Sequence, residues 1–517
     1  MFDYSIKPVN EMSVDELIGQ VIMIGLPDKK LDSFSAEFIK DYKIGNYILF
    51  ARNYNNTAQM KSFMKELYQY TSDITGSFPL VSIDQEGGMV VRLFKDVTFP
   101  ASPLTTSASS VQDAPYATGV IVGKDMLSLG INLDLAPCLE INEGLLNPLV
   151  NTRGYGASKE IVLKNARAFV RGLQSGGALS CIKHFPGAGS STKDSHLELP
   201  IIDDSKETLL GYNMYPFLNI PFSDALMSSH CLFKSFDELP STLSKVLLTD
   251  VLRGQMGYEG LIISDGMEMK AIADHYGIGR GCVMALNAGC DILLLCHEYS
   301  EQKEAFDVVK KAVAEGEISI EALKEKVERI NKAKEKTIKG LQERFTDGEY
   351  IPSAEEHGLM QSIVDNSYTL LMGEAPRLTE NTLILTSGAR VASIAEDEFD
   401  DRSLTKSLTA SFPNTDILQF SKETGFVDSV LQKAKSYDNI IVYSYDAYND
   451  NVQKELINKL LESEMEVYVV SVKGPIDRSY FKNLKNYACL YEYTPNSIRT
   501  VIKQLKNEIG FNGKLPL

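Results

Sequence analysis

The sequence predicts an α/β protein in which a (β/α)8 barrel of the TIM type is followed by a smaller α/β sandwich domain. Eight short apolar runs, rich in β-branched residues, recur over roughly the first 300 residues with helix-period segments between them. A second, shorter alternation of strand and helix patterns begins after a break near residue 350. With 517 residues, of which 44% are hydrophobic, the chain can bury more than one core.

The first helix is predicted to begin at Ser13, because Ser13-Val14-Asp15-Glu16 has the S-x-x-E spacing of a capping box. Helical periodicity is clearest over Asp113–Leu129 and Ser158–Gln174. A doubly wound open sheet is the competing fold, but no glycine-rich dinucleotide fingerprint follows the first strand. The eight predicted barrel strands are Val21–Gly25, Tyr47–Phe50, Leu80–Asp84, Leu133–Ile141, Leu179–Lys183, Ala225–Ser229, Leu261–Asp265 and Asp291–Cys296.

A charged helical pattern from Ile318 to about Arg344 is most simply the last barrel helix continued into a linker. We therefore predict a catalytic barrel with its linker helix over residues 1–340, a linker over 341–368 and the α/β sandwich domain over 369–517. That last domain shows no convergent polar set, so its predicted role is structural. Its predicted parallel strands are Thr382–Leu385, Asp416–Phe420, Asn439–Tyr445, Glu466–Val472 and Ala488–Tyr493.

The composition excludes several kinds of partner. A net charge of −17 argues against a nucleic-acid partner, which would need a basic face. The apolar runs all fall short of the roughly 18 residues that span a membrane. Seven scattered cysteines without a CxxC pair favour a reducing compartment, and the N-terminus resembles no signal peptide, so we expect a cytoplasmic protein. The sequence makes no prediction of oligomeric state.

Polar groups follow five of the eight predicted barrel strands. Active sites of this fold lie at the carboxyl ends of the strands, where the βα loops begin. Chance would place one or two such groups there, so five convergent ends predict a site. These ends are Asp84-Gln85-Glu86-Gly87-Gly88, Glu140-Ile141-Asn142, Lys183-His184, Ser228-Ser229-His230 and Ser264-Asp265-Gly266.

The segment from Ser180 to Pro200 is the richest in chemistry. The apolar run stops at Lys183-His184, and a loop with two glycines leads to Asp194-Ser195-His196. In an Asp-x-His unit the carboxylate can hold one imidazole nitrogen, fix the tautomer and raise the basicity of the ring. A buried strand end that carries an unpaired lysine is costly, so this segment is poorly explained by packing alone.

Asp265 places a carboxylate directly after a buried strand, where it could ligate a metal, act as a base or act as a nucleophile. The rival carboxylate, Glu268, also fits the first turn of a helix, so strand-end position favours Asp265. Carboxylates and imidazoles at the other strand ends could complete a metal site. However, Lys183, Arg92 and Arg153 would repel a divalent ion and would keep a carboxylate ionised. We therefore predict that the site holds neither a metal nor a cofactor. The predicted substrate is small and polyhydroxylated.

An ionised carboxylate and an Asp-held imidazole together suggest retaining cleavage of a glycoside. Retention requires a nucleophile and a separate acid/base, one on either side of the bond. The acid/base is usually a second carboxylic acid, but a histidine can replace it because its unperturbed pKa lies near neutrality.

Several sequence motifs make the prediction of a glycosidase more specific. They occur in order over most of the first 340 residues. They are Asp84-Gln-Glu-Gly-Gly-x-x-x-Arg92, Asn147-Pro148 with Arg153, Lys183-His184-Phe-Pro-Gly, Asp194-Ser-His196, Ser264-Asp265-Gly-Met-Glu-Met and Ala285-Leu-Asn-Ala-Gly-Cys-Asp291. With these motifs the chain resembles glycoside hydrolase family 3, in particular its bacterial β-N-acetylglucosaminidase branch. The Asp-x-His loop points to that branch, because β-glucosidases of the family usually take their acid/base from the second domain.

The resemblance implies Asp265 as nucleophile and His196 as acid/base, with Asp194 as the partner of His196. It implies contacts with the non-reducing sugar from Asp84, Arg92, Arg153, Lys183 and His184. His230 matches the sixth strand end of the family and is expected in or behind the site. Two of these residues also have ordinary structural explanations: Arg92 as a salt-bridge partner and His230 as a hydrogen-bonded core histidine.

The resulting prediction is a retaining exo-β-N-acetylglucosaminidase that acts on peptidoglycan fragments or related oligosaccharides through a glycosyl-aspartate intermediate. The chain departs from the family pattern at Ala188, where a histidine is usual, and at Met89, where many relatives carry a basic residue. A phosphorylase is one alternative, because a neutral histidine does not repel phosphate. A catalytically weak sugar-binding relative is another.

Overall fold

The computed structural model describes residues 4–189, 191, 198–388 and 403–517. Eight parallel strands close into a barrel in which each strand pairs with the next and the eighth pairs with the first. The predicted barrel is therefore confirmed. Its strands are β1 (Ile22–Gly25), β2 (Asn46–Leu49), β3 (Leu80–Ile83), β4 (Leu133–Asp134), β5 (Leu179–Phe185), β6 (Ala225–Ser228), β7 (Leu261–Gly266) and β8 (Ile292–Leu295).

Helices surround the barrel and bury its outer face. The predicted capping box is present: the Ser13 hydroxyl accepts from the Glu16 N–H, and the Ser13 N–H donates to the Glu16 carboxylate at 2.7 Å. Strands and helices enclose one large apolar core. The barrel-domain helices include Val14–Gln20, Ser33–Tyr42, Thr57–Thr75, Pro103–Ala108, Ala114–Ser128, Lys159–Gly176, Tyr215–Leu218, Val246–Gln255, Lys270–Tyr276, Ile278–Ala288, Tyr299–Ala314 and Ile320–Arg344.

Regular pairing of β4 covers only two residues, although its apolar run continues to Ile141. Pro137, three residues after the end of β4, has no N–H to donate to a ladder. The chain nevertheless continues alongside β5, because the Lys183 N–H donates to the Pro137 carbonyl at 3.0 Å and the Leu139 N–H donates to the Lys183 carbonyl at 2.7 Å. This extension carries Glu140 to the same end of the barrel as the other strand termini.

The second domain contains a six-stranded sheet, whose strands are β9 (Thr369–Met372), β10 (Thr382–Thr386), β11 (Asp416–Gln419), β12 (Asn439–Ser444), β13 (Glu466–Ser471) and β14 (Asn486–Cys489). Their order in the sheet is β9-β14-β13-β12-β10-β11. Its five predicted strands are parallel as expected, but the first strand was missed and runs antiparallel to β14 at the sheet edge. Apolar clusters cover both faces of the sheet. The helices of this domain include Leu404–Ser411, Phe426–Ala434, Asn451–Leu461 and Pro495–Leu505, and the predicted linker contains the helix Ala354–Asp365.

The two domains are in direct contact. The C-terminal segment returns to the barrel domain, where the Ala157 N–H donates to the Pro516 carbonyl at 3.0 Å and the Lys514 N–H donates to the Ala108 carbonyl at 2.9 Å. The helix Ile320–Arg344 packs against the barrel domain, where it contacts the helices Val14–Gln20 and Ala114–Ser128. Over the residues described, none of the helices combines the length and the apolar character needed to cross a membrane.

Candidate active site

A cavity of about 400 Å³ opens at the carboxyl ends of the barrel strands. Apolar side chains and several ionisable groups line it together. It brings together most of the residues that the sequence predicted for substrate binding, and it includes the predicted nucleophile. The lining comprises Ile48, Phe50, Asp84, Glu86, Arg92, Leu135, Arg153, Lys183, His184, Met227, Asp265, Gly266, Glu268, Met269, Lys270, Leu294, Cys296 and His297.

A buried network of opposite charges forms one wall of the cavity. Lys183 Nζ lies 2.6 Å from Asp84 Oδ1 and 2.7 Å from Glu86 Oε1. Arg153 makes a bidentate ion pair with Glu86. Its Nε lies 2.8 Å from Glu86 Oε2, and its Nη2 lies 2.8 Å from Glu86 Oε1. Arg92 Nη2 lies 3.4 Å from the second oxygen of Asp84. Bidentate and shared contacts of this kind hold side chains in one geometry, so the network is a fixed polar surface.

The network favours the charged forms of Asp84, Glu86 and Lys183. Burial works against ionisation of Asp84 and Glu86, but the neighbouring cations prevail and hold the pKa of both carboxyls below their usual values. Burial also works against the charge on Lys183, but Asp84 and Glu86 raise the pKa of this lysine above its usual value. Each partner therefore stabilises the charge of the next, as expected for buried ion pairs.

His184 is held by Glu140 at the next strand end. The Glu140 Oε1 atom lies 2.9 Å from the His184 N–H and 3.0 Å from ring Nδ1. Burial would raise the pKa of Glu140, but His184 and the hydrogen bonds lower it, so this oxygen accepts from Nδ1–H. In the neutral ring, this arrangement makes Nε2 a hydrogen-bond acceptor for a substrate hydroxyl.

Asp265 and Glu268 both line the cavity, but their surroundings differ. Asp265 is half-buried at the end of β7, and its Oδ1 accepts from the Gly266 N–H at 2.8 Å. Glu268 accepts from the Cys296 N–H at 2.6 Å, and burial raises the pKa of its carboxyl. A raised pKa favours the protonated, less nucleophilic form. The surroundings of Glu268 therefore disfavour it as a nucleophile.

The rim of the cavity near β2 and β8 is aromatic and cationic. The Arg52 guanidinium stacks 4.3 Å from the Phe50 ring centroid and lies 3.2 Å from His297 Nδ1. The rings of Phe50 and His297 lie 5.3 Å apart between centroids. Flat aromatic and guanidinium surfaces suit the apolar face of a sugar ring.

The loop after Lys183-His184 is anchored at its start. The Asn147 side-chain amide donates to the Gly189 carbonyl at 2.9 Å and to the Ser191 carbonyl at 2.8 Å. A Cβ on Gly189 would lie 2.4 Å from the Ile141 carbonyl oxygen, so this glycine is required by close packing. The predicted acid/base pair, Asp194 and His196, lies outside the described residues.

His230 is placed behind the cavity, outside the lining formed by the described residues. It is fully buried, with Nδ1 at 2.8 Å from the Thr242 hydroxyl and Nε2 at 2.8 Å from the Gly266 carbonyl. Because Gly266 follows Asp265, the ring supports the strand end that carries the carboxylate. A supporting position is thus the role that the structure favours for His230.

One group of side chains in the described part of the chain could ligate a metal. Ligand atoms of Cys138, Glu140 and His184 lie within 4.8 Å of one another. The Cys138 thiol donates to Glu140 at 2.6 Å, and burial and this carboxylate raise the pKa of the thiol well above its usual value. Metals bind the thiolate, so the surroundings of Cys138 oppose ligation.

Glu86 and Glu140 are two of the site residues that the sequence reasoning did not assign. Both lie in strand-end motifs that it did quote. The missed signals were the burial of Lys183, because a buried cation needs a carboxylate partner from another loop, and the His184 ring, which needs a hydrogen-bond acceptor.

Comparison with known proteins adds independent information. The family model described as the N-terminal domain of glycosyl hydrolase family 3 matches residues 13–333. A β-hexosaminidase of Alkalilimnicola ehrlichii is 31% identical over 284 residues, which cover 53% of this chain and 80% of that protein. Beta-hexosaminidase A of Pseudoalteromonas piscicida is 32% identical over 280 residues, which cover 50% of this chain and only 47% of that protein.

A solved structure matches both domains. The glycoside hydrolase family 3 β-N-acetylglucosaminidase of a Paenibacillus species superposes with a TM-score of 0.90 at 30% identity, and the match covers 98% of each chain. The similarity thus extends through the second sheet as well as the barrel.

Proposed function

The chain belongs to glycosyl hydrolase family 3 and is a glycoside hydrolase, and from this we propose that it is a retaining, exo-acting β-N-acetylglucosaminidase. The observation that carries the proposal is one cavity that combines a strand-end carboxylate, Asp265, with a fixed charged wall around Lys183. The wall offers both donors and acceptors to sugar hydroxyls. The names of the relatives favour N-acetylhexosamine as the sugar.

Substrate binding would use the charged wall. Asp84 and Arg92 present an acceptor and a donor, and His184 adds its Nε2 atom. Because these groups are already paired and desolvated, they would not reorganise when a sugar enters. The limited volume of the cavity, about 400 Å³, is the reason to propose exo action.

The proposed hydrolysis proceeds in two steps. Asp265 attacks the anomeric carbon, the bond from that carbon to the leaving-group oxygen breaks, and His196 gives its proton to that oxygen. A glycosyl ester of Asp265 results. His196 then takes a proton from water, the water oxygen attacks the anomeric carbon, and the ester bond to Asp265 breaks. Two inversions at the same carbon give net retention.

Side-by-side turnover of aryl β-glycosides of GlcNAc, glucose and xylose tests this function. We expect the GlcNAc glycoside to have the highest kcat/KM. A preference for glucose or xylose, or no turnover of any of the three, would reject it. The same assay in phosphate buffer distinguishes hydrolysis from phosphorolysis, because a phosphorylase would release GlcNAc 1-phosphate in place of GlcNAc.

Replacing His196 by alanine should slow substrates with poor leaving groups far more than activated aryl glycosides. A good leaving group needs little protonation, so loss of the acid costs less, whereas general acid catalysis is worth roughly 10²–10⁴-fold for a poor one. The measurement is kcat/KM against the pKa of the leaving phenol. A milder slope is expected for Asp194→Ala, and equal losses on all phenols would contradict acid catalysis by His196.

Activity should persist after prolonged chelation. The surroundings of Cys138 favour the protonated thiol, whereas metals bind the thiolate. The cations around Asp84 also disfavour a divalent ion. The measurement compares turnover before and after dialysis against a chelator. A large loss that one divalent metal restores would contradict the metal-free mechanism.

We also infer peptidoglycan fragments as natural substrates and the cytoplasm as the location. The seven cysteines are all buried and free, which supports a reducing compartment. Release of GlcNAc from purified muropeptides tests the substrate, with chitobiose as the comparison.

A further inference from the structure

Met89 lies at the tip of a tight turn between two residues of the cavity wall, Glu86 and Arg92. The Gly87 N–H donates to the Val90 carbonyl at 3.1 Å, and the Val90 N–H donates back at 3.2 Å. Gly87 and Gly88 have φ values of 100° and 61°, which side chains with a Cβ rarely adopt. This turn points a long apolar side chain away from the cavity wall.

The Met89 side chain is buried in the core of the other domain. It is 3% exposed and belongs to an apolar cluster that contains Tyr443, Tyr445 and Tyr493. Among the described residues, every other buried member of that cluster comes from residues 368–505. A flexible thioether suits such a mixed aromatic and aliphatic environment.

A second connection holds the backbone beneath the same turn. The Gly88 N–H donates to the Pro100 carbonyl at 2.9 Å. Two residues later, the Ser102 N–H donates to the buried Glu492 carboxylate at 2.7 Å, and the Ser102 hydroxyl donates to the Tyr491 carbonyl at 2.9 Å. Tyr491 and Glu492 lie two and three residues after β14, so the chain beyond that strand supports the turn through the segment Pro100–Ser102.

A third contact reaches the loop that carries Arg153. A Cβ on Gly474 would lie 2.9 Å from Asn151 Oδ1, so the chain after β13 approaches this loop closely. The residues that follow β13 and β14 therefore meet two loops of the cavity wall. The ion pair between Glu86 and Arg153 joins those two loops.

We propose that the second domain positions the sugar-binding wall of the barrel, with Met89 as the main positioning residue. Met89 acts through Glu86 and Arg92, the two residues that flank its turn, and does not itself touch the substrate. The kinetic part of this inference rests on the proposed function; the positioning of the turn does not. The packing of Met89 in the second domain also explains why an apolar residue occupies position 89.

The test compares Met89→Ala with Leu408→Ala and with Met89→Leu. Leu408 is fully buried in the same cluster but lies on the helix Leu404–Ser411, so its truncation removes comparable packing without a link to the turn. The measurements are kcat and KM for the aryl β-GlcNAc glycoside, the melting temperature, and amide hydrogen exchange of peptides that cover residues 84–93.

Met89→Ala should raise KM roughly tenfold or more, keep kcat within about threefold, and speed exchange in residues 84–93. Met89→Leu should keep the KM and the exchange rate of the wild type. Leu408→Ala should lower only the melting temperature. Equal effects of the two alanine variants on KM and on exchange would overturn the proposal, as would unchanged exchange in Met89→Ala. If the wild type turns over none of the glycosides, the proposed function fails, and hydrogen exchange alone still decides the positioning.

Discussion

The Asp265→Ala variant is expected to lose roughly 10³- to 10⁶-fold in kcat on an aryl β-GlcNAc glycoside, because the glycosyl ester could not form. The side chain is half-buried at the cavity surface, so the fold should survive its truncation. Circular dichroism and the melting temperature check this point. Added azide could enter the space left by the carboxylate and attack the anomeric carbon, which would give the α-glycosyl azide.

Glu268→Gln is the matched control for this experiment. Glu268 lines the same cavity three residues along the chain, but its carboxyl accepts from the Cys296 backbone and has a raised pKa. Glutamine can retain that hydrogen bond, so we expect kcat within about tenfold of the wild type. A larger loss of kcat for Glu268→Gln than for Asp265→Ala would indicate that Glu268, and not Asp265, is the nucleophile.

The second large effect is expected for Lys183→Met. Lys183 lies between the Asp84 and Glu86 carboxylates, and its side chain is 3% exposed. Its removal would leave the buried Glu86 and the partly exposed Asp84 short of one partner, which costs about 3–5 kcal/mol of unfolding free energy. Disordering of the wall should also lower kcat/KM by roughly 10²-fold or more. Urea unfolding and steady-state kinetics measure the two effects.

Lys334→Met is the control for burial of a lysine. Lys334 is fully buried near the start of β1, where its ammonium donates to Gln20 Oε1 at 2.8 Å, and burial lowers its pKa to about 7. This variant should keep full activity and lose little stability. Because the unfolded lysine holds its proton to higher pH, the wild type should gain stability relative to this variant between about pH 7 and 10. Activity loss in Lys334→Met equal to that in Lys183→Met would show that any buried lysine is required.

The sequence was sufficient to predict the barrel and the convergence of polar strand ends on one cavity. Period and composition identify buried strands, and the strand ends then place Asp84, Lys183 and Asp265 at one face without any knowledge of contacts. Pairings between loops are a different matter. Nothing in local sequence indicates that Glu86 binds both Arg153 and Lys183, because those partners meet only after the barrel closes.

The second domain was predicted less completely. Its parallel strands carry continuous apolar runs, which are easy to recognise. The edge strand β9 is short and only partly buried, so its pattern is weak, and it was missed. The contact of Met89 with this domain was also invisible, since a lone methionine in a glycine-rich turn carries no periodic signal.

The most direct test of the proposed mechanism is to trap the covalent intermediate. A β-GlcNAc fluoride with fluorine at C5 should form the glycosyl ester quickly but hydrolyse slowly, because the ring fluorine destabilises the cationic transition state of both steps and the good leaving group favours the first. After proteolysis, mass spectrometry should find the added sugar on the peptide that contains Ser264-Asp265-Gly266, with fragmentation placing it on Asp265. An adduct on Glu268 or Asp84, or no adduct together with a product of inverted configuration, would contradict the account.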